Sequence, residues 1–205
     1  MPRPKTHTQQ SIVAAALQLF WRQGFEATSM DDLVRETGVS RHALYGAFSG
    51  KQTLFMACLD AYSAQIVSEA FAPVERDGAT LETVAAYFER QIAFAERLGL
   101  PGPGCLMANS MTERAPHDDA ALAKVRAHNA RLEAGFLNAL QGEARRAAGA
   151  AAQRPAASTT VSACAALLVV FANGLWSISR QVDDAETLRR SVREILEMVQ
   201  ERILK

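Results

Sequence analysis

Cysteine is scarce in this chain, with three in 205 residues, at positions 58, 105 and 164. So odd and scattered a set makes neither a disulfide framework nor the paired spacing of a zinc knuckle. Charge of one sign is not in excess either, since 22 basic residues meet 22 acidic ones for a net charge of zero. That excludes a general basic coat for nucleic acid, and any phosphate contact must come from placed charges. No apolar run reaches the roughly 20 residues that a membrane helix needs. The longest, 163–172, gives way to Asn173 and Gly174. The opening Met1-Pro2-Arg3-Pro4-Lys5 lacks the apolar stretch of a secretion signal, so a cytoplasmic location is expected. No nucleophile–base pair, metal cluster or phosphate loop stands at usable spacing, and neither an enzyme nor a cofactor is expected.

What the chain does have is apolar residues, 49% of the total, recurring with helical period almost throughout. The expected class is all-α, with about nine helices. The first runs over 7–23, with Ile12, Ala16, Leu19 and Phe20 inward and Gly24 as its stop. Short helices at 30–37 and 41–47 follow. A capping box over 49–52 then starts a long helix to about residue 71, with Pro73 and Gly78 in the next loop. Further helices are expected at 80–98, 105–113, 118–144, 159–181 and 184–203. Pro101-Gly102-Pro103-Gly104 forces a turn, and 145–158, rich in Ala, Arg and Gly, reads as an irregular connection.

Residues 28–48 carry the most information. Two short apolar helical patterns flank Gly38, and each opens with a hydroxyl residue able to cap it, which is the layout of a helix-turn-helix. Gly38 can supply the left-handed corner. Counting 1–55 gives six positive residues (Arg3, Lys5, Arg22, Arg35, Arg41, Lys51) against four negative (Glu26, Asp31, Asp32, Glu36).

The pattern Phe20-x3-Gly24-Phe25-x2-Thr28-Ser29-Met30-x2-Leu33-x4-Gly38-Val39-Ser40-x3-Leu44-Tyr45-x2-Phe48-x2-Lys51-x2-Leu54 resembles the amino-terminal domain of TetR-type transcriptional regulators. The resemblance covers about 50 residues at many fixed spacings. It implies a three-helix DNA-binding domain over 1–50 and a ligand-binding and dimerisation domain over 51–205. It also implies a homodimer on double-stranded operator DNA, released by a small-molecule effector.

In that frame Phe20, Phe25, Leu33, Leu44 and Phe48 form the small core. Thr28 or Ser29 caps the second helix and touches DNA backbone at its free N–H groups. Ser40 caps the third, leaving Arg41, His42 and Ala43 on its first turn. Arg41 has the donors to bond guanine O6 and N7 together, and His42 stands beside it. The family position of Tyr45 implies a phosphate contact, with Lys51 in a similar role, and Arg3 and Lys5 would form a basic arm. Gly46 and Ala47 depart from the bulky residues common there, which concentrates base reading on Arg41 and His42.

The segment from Gly104 to Asn109 resembles one found in a branch of the family, in some of whose members the cysteine senses oxidants or electrophiles. A helix N-terminus favours a thiolate at Cys105, whereas the bland alternative is a small packing residue. Met107, Met111, Phe88, Phe94, Phe136, Phe171 and Trp176 suit the walls of a cavity for a flat or greasy ligand. Tyr62, Gln65, Gln91, Asn109 and Asn173 could orient it. His117-Asp118-Asp119 fits a helix cap better than a metal site, and His128-Asn129 reads as helix surface or pocket edge. In the last two helices Ala163, Ala165, Ala166 and Gly174, with Leu167, Val170, Trp176, Leu188, Ile195 and Val199, suit a four-helix contact between two copies. Two functions compete: a repressor released by an apolar or aromatic ligand, and a repressor switched through Cys105.

Overall fold

Capping chemistry sets the first helix boundaries in the structure, a computed structural model describing residues 8–148 and 159–204. The Thr8 hydroxyl accepts from the Ser11 N–H at 3.1 Å and starts α1 (Gln9–Gln23), which Gly24 ends. Ser29 and Asp32 form a reciprocal capping box on α2 (Met30–Thr37). Three bonds from Ser29 and Arg35 to the Asp32 carboxylate hold its pKa down at about 2. Gly38 then turns left-handed at φ 72°, and Ser40 caps α3 (Arg41–Phe48) by accepting from Ala43 N–H at 3.2 Å.

The next boundary departs from expectation. Ser49, at φ 58°, ends α3, and Gly50 precedes α4 (Lys51–Tyr62) with no side-chain cap, so the capping box over 49–52 does not form. Gln52 instead bonds Arg114 and Asp118. The helix also runs further than expected, through a π-helical turn, Ser63–Val67, into α5 (Ser68–Glu75), and takes in Pro73. Pro73 removes one N–H, but Phe71 and Val74 are fully buried, and the Asn138 amide caps the Val74 and Arg76 carbonyls at 3.1 and 2.9 Å.

The remaining helices are α6 (Leu81–Leu98), α7 (Leu106–Glu113), α8 (Asp119–Ala148), α9 (Thr159–Ile178) and α10 (Ala185–Ile203). A 3₁₀ turn, Ala115–His117, precedes α8. Asp118 caps α8 by accepting from Ala121 N–H at 2.8 Å, as its sequence context implied. Among the described residues there is no strand, and counting α4 and α5 as one helix gives nine. Residues 145–148 of the expected irregular connection are helical, while the rest of it lies outside the described residues, as do Arg3 and Lys5.

The chain clusters into two units, each with its own core. The first comprises residues 8–66 with Cys105–Val125. Its core is Phe20, Phe25, Leu33, Leu44 and Phe48, joined by Leu54, Phe55 and Leu59, all buried. Phe55 meets Phe20 edge-on and Phe25 at a tilt, each at 5.0 Å. Each such side chain contributes about 1.5–3 kcal/mol on leaving water, which lets helices of eight residues persist. The end of α7 closes this unit. The Glu113 carboxylate accepts from the Phe25 and Glu26 N–H groups at 3.1 and 2.9 Å. Arg114 lies 4.3 Å over the Phe25 ring and bonds Glu26, Gln52 and Asp118, each at 3.0 Å.

The second unit comprises Val67–Gly104 with 126–148 and 159–204. Phe71, Phe88 and Phe136 are fully buried at its centre. α8 comes so near the loop before α6 that a side chain at Gly142 would strike the Ala79 carbonyl. Arg189 of α10 clips α6 through Glu89 and Glu96 at 3.0 and 2.9 Å.

Candidate nucleic-acid interface

The helix-turn-helix is assembled by local chemistry and then locked from inside. Leu33 and Leu44 are buried against each other's helices, Val39 closes the corner, and Thr37 donates its hydroxyl to the Leu33 carbonyl at 2.6 Å. What remains outward on α3 is Arg41, His42, Ala43, Tyr45 and Gly46. Tyr45 keeps 47% of its surface exposed, an unusual state for an aromatic residue with a core a turn away. Among the described residues nothing lies within 4 Å of where a Gly46 side chain would stand, so none of them makes a packing demand for that glycine.

The expected contact residues separate into two groups. Ser29, Ser40, Arg41, His42 and Tyr45 are exposed, with the first turns of α2 and α3 joined by an Arg41–Asp31 ion pair at 2.7 Å. Thr28 and Lys51 point into the domain. Thr28 is fully buried, donating to the Gly24 carbonyl at 2.6 Å and accepting from Gln23, so of the two candidate caps Ser29 does the work. Lys51 donates to the Phe25 and Thr28 carbonyls, both at 2.9 Å, and sits 4.1 Å over the Phe25 ring. Its cation is therefore held by the turn before α2. No sequence signal short of the fold could have paired residues 23 and 26 positions apart.

An independent likeness now bears on this geometry. The family described as bacterial regulatory proteins, tetR family, matches residues 12–58, from α1 into α4. Solved TetR-family structures superpose on nearly the whole chain. A TetR regulator from Cytophaga hutchinsonii does so with a TM-score of 0.77 and 18% identity, over 100% of this chain and 99% of that one. Residues 12–58 are thus a tetR-type helix-turn-helix segment, and the whole chain has the fold of solved TetR-family structures. A CifR cysteine mutant, solved in complex with 26-bp double-strand operator DNA, matches this chain with a TM-score of 0.75 and 22% identity, covering 96% and 98%. Among curated relatives, the repressor ComR of Escherichia coli is 33% identical over 114 residues, 56% of this chain and about half (54%) of that relative's length. The regulator YezE of Bacillus subtilis is 26% identical over 140 residues, 68% and 72% of the two chains.

The residues expected to meet an effector fall in both units of this chain. In the first, Tyr62, Cys105 and Met107 are buried, Met111 is half-buried and Gln65 is exposed. The Tyr62 ring meets Trp21 edge-on at 5.2 Å. In the second, Phe88 touches Phe136, Phe171 and Trp176 at centroid distances of 6.0, 5.6 and 6.5 Å, with Gln91 half-buried one turn beyond. Phe88 thus links the other three rings. Asn173 bonds Asn129 at 3.1 Å. His128 is not helix surface: it is 8% exposed, Nδ1 has no partner among the described residues, and burial pushes its pKa down to about 4.

Of the two readings of Cys105, the reactive thiolate gains no support. Cys105 precedes α7, but it is buried, and desolvation pushes the thiol's pKa up against smaller help from Tyr62 and the Ala108 and Met107 N–H groups. A protonated, buried thiol is a poor nucleophile, which favours the packing role.

Proposed function

We propose that the chain is a transcriptional repressor that binds a palindromic operator as a homodimer and leaves it when a small, largely apolar or aromatic effector binds. The observation carrying the DNA part is the capped, exposed first turn of α3. Arg41 and His42 stand outward there, with Tyr45 one turn on, on a helix whose opposite face, Leu44 and Phe48, is buried. A helix so held can enter a major groove with base-reading and phosphate-binding side chains in front.

The dimer part is supported by α9 and α10. Leu167, Val170, Ile178 and Met198 are 43%, 69%, 50% and 63% exposed, and Ala163, Ala166 and Gly174 continue the open stripe on α9. Trp176, Leu188 and Val199, expected on the same contact, are instead buried within the subunit. An apolar stripe of this length calls for cover, and a second copy in antiparallel four-helix contact supplies it. The effector part rests on the likeness to TetR-family proteins and on the aromatic content of the second unit.

A hydroxyl-radical footprint on operator DNA obtained by in vitro selection tests the assignment. Two protected patches on one face of the duplex, about 34–36 Å apart, are expected from paired recognition helices. A single patch, or uniform weak protection, rules the dimeric reader out. A compound that stabilises the free protein thermally should also weaken operator binding, because the two ligands are linked.

A further inference from the structure

Among the described residues of 8–55, the lysines and arginines are Arg22, Arg35, Arg41 and Lys51, and all four have partners inside the domain. The DNA-facing surface proposed above therefore carries little free positive charge. Its foremost cation, Arg41, is bonded from Nη2 to Oδ1 of Asp31 at 2.7 Å. Asp31 itself is 82% exposed on the side chain, in the first turn of α2, so its carboxylate shares the face that Arg41 presents.

A carboxylate on a surface meant for phosphates is a cost unless it does something there. Stability does not explain it, because an ion pair this exposed contributes little to folding. Its geometry does. One N–H of the guanidinium goes to Asp31, and a bidentate guanine contact needs only two of those left. Asp31 thereby removes rotamers from a long side chain and sets the guanidinium plane before DNA arrives. Where Arg41 meets a base offering no paired acceptors, the carboxylate charge remains, facing DNA with nothing gained in return.

We infer that Asp31 is a specificity-determining residue, which positions Arg41 for guanine and penalises binding wherever guanine is absent. The inference rests on the proposed DNA reading and extends it to a residue whose charge opposes DNA.

The test is in vitro selection from a randomised duplex pool with the full-length protein as wild type, Asp31→Ala, Asp31→Asn and Arg41→Ala. Affinity for the winning site and for random duplex is then measured. Arg41→Ala should identify the guanine that depends on that side chain. Asp31→Ala should lower discrimination at that same guanine about fivefold or more and raise affinity for random duplex about threefold. Asp31→Asn keeps an acceptor without the charge, so it should retain most of the guanine preference while still binding random duplex more tightly. An unchanged motif and unchanged random-duplex affinity in Asp31→Ala overturn the inference and leave base reading intact. Loss of a cytosine preference elsewhere in the site also overturns it, by making Asp31 a direct reader. If wild type enriches no sequence at all, the DNA reading fails with it.

Discussion

Single residues in this chain carry their own pH signatures. His128 is nearly buried, and desolvation, with the nearby Arg131 charge, pushes its pKa from 6.5 down to about 4. Above pH 6.5 the imidazole is neutral folded or unfolded. Between pH 6.5 and 4 the unfolded chain takes a proton that the folded one refuses, so stability falls with pH, by about 3 kcal/mol in all, and levels off below 4. Thermal melts across that window should show the loss in wild type and not in His128→Leu; equal slopes in both would place the titration elsewhere. Asp32 works in a lower window, because its depressed pKa means that its contribution is complete above about pH 4 and lost toward pH 2. Residues whose partners lie within four positions were legible in the sequence: Ser29, Ser40 and Asp118 cap as their neighbours imply. Lys51 and Glu113 were not, because their partners are 23 to 88 positions away, and neither were the bonds of Arg114 to Glu26 and Gln52, 88 and 62 positions away. His128 looked like surface because one polar residue in a helical pattern carries no sign of which way it faces.

At the scale of elements, starts and stops were written in hydroxyls and glycines, and most helices stand where periodicity put them. The exceptions show where a one-dimensional pattern gives out. Pro73 is a helix breaker by its own chemistry, yet buried Phe71 and Val74 and the Asn138 cap carry α5 past it to Glu75. The π turn at Ser63–Val67 has no glycine or proline to announce it. Two glycines of the helix-turn-helix make opposite predictions. Gly38→Ala forces a side chain into φ 72° and should destabilise by about 1–2 kcal/mol. Gly46→Ala meets nothing within 4 Å and replaces the poorest ordinary helix former, so it should stabilise by up to about 1 kcal/mol. Denaturant midpoints of the two variants against wild type check both signs. Destabilisation by Gly46→Ala would mean that the glycine is needed for the path of α3 itself.

For the whole molecule, the all-α class and the TetR likeness followed from 28–48 and the helical period, whereas the assignment of faces in the last two helices did not. Leu188, Val199 and Trp176 are as apolar as Leu167 and Val170, and only packing decides which set is buried and which is left open. The open set predicts that Val170→Arg yields a monomer by sedimentation, with the fold intact by circular dichroism; a persisting dimer would put the contact on another face. Because the chain has no net charge, two weak half-sites must act together, and the monomer should lose operator binding as well. The central claim is that the first turn of α3 reads DNA. Its most direct test is the affinity of the full-length protein for its selected operator, by fluorescence anisotropy, in wild type and in the Arg41→Ala, Tyr45→Ala double variant. Both side chains are exposed, so the melting temperature should hold while operator affinity falls roughly 100-fold or more. Equal affinity in the two proteins would contradict the account.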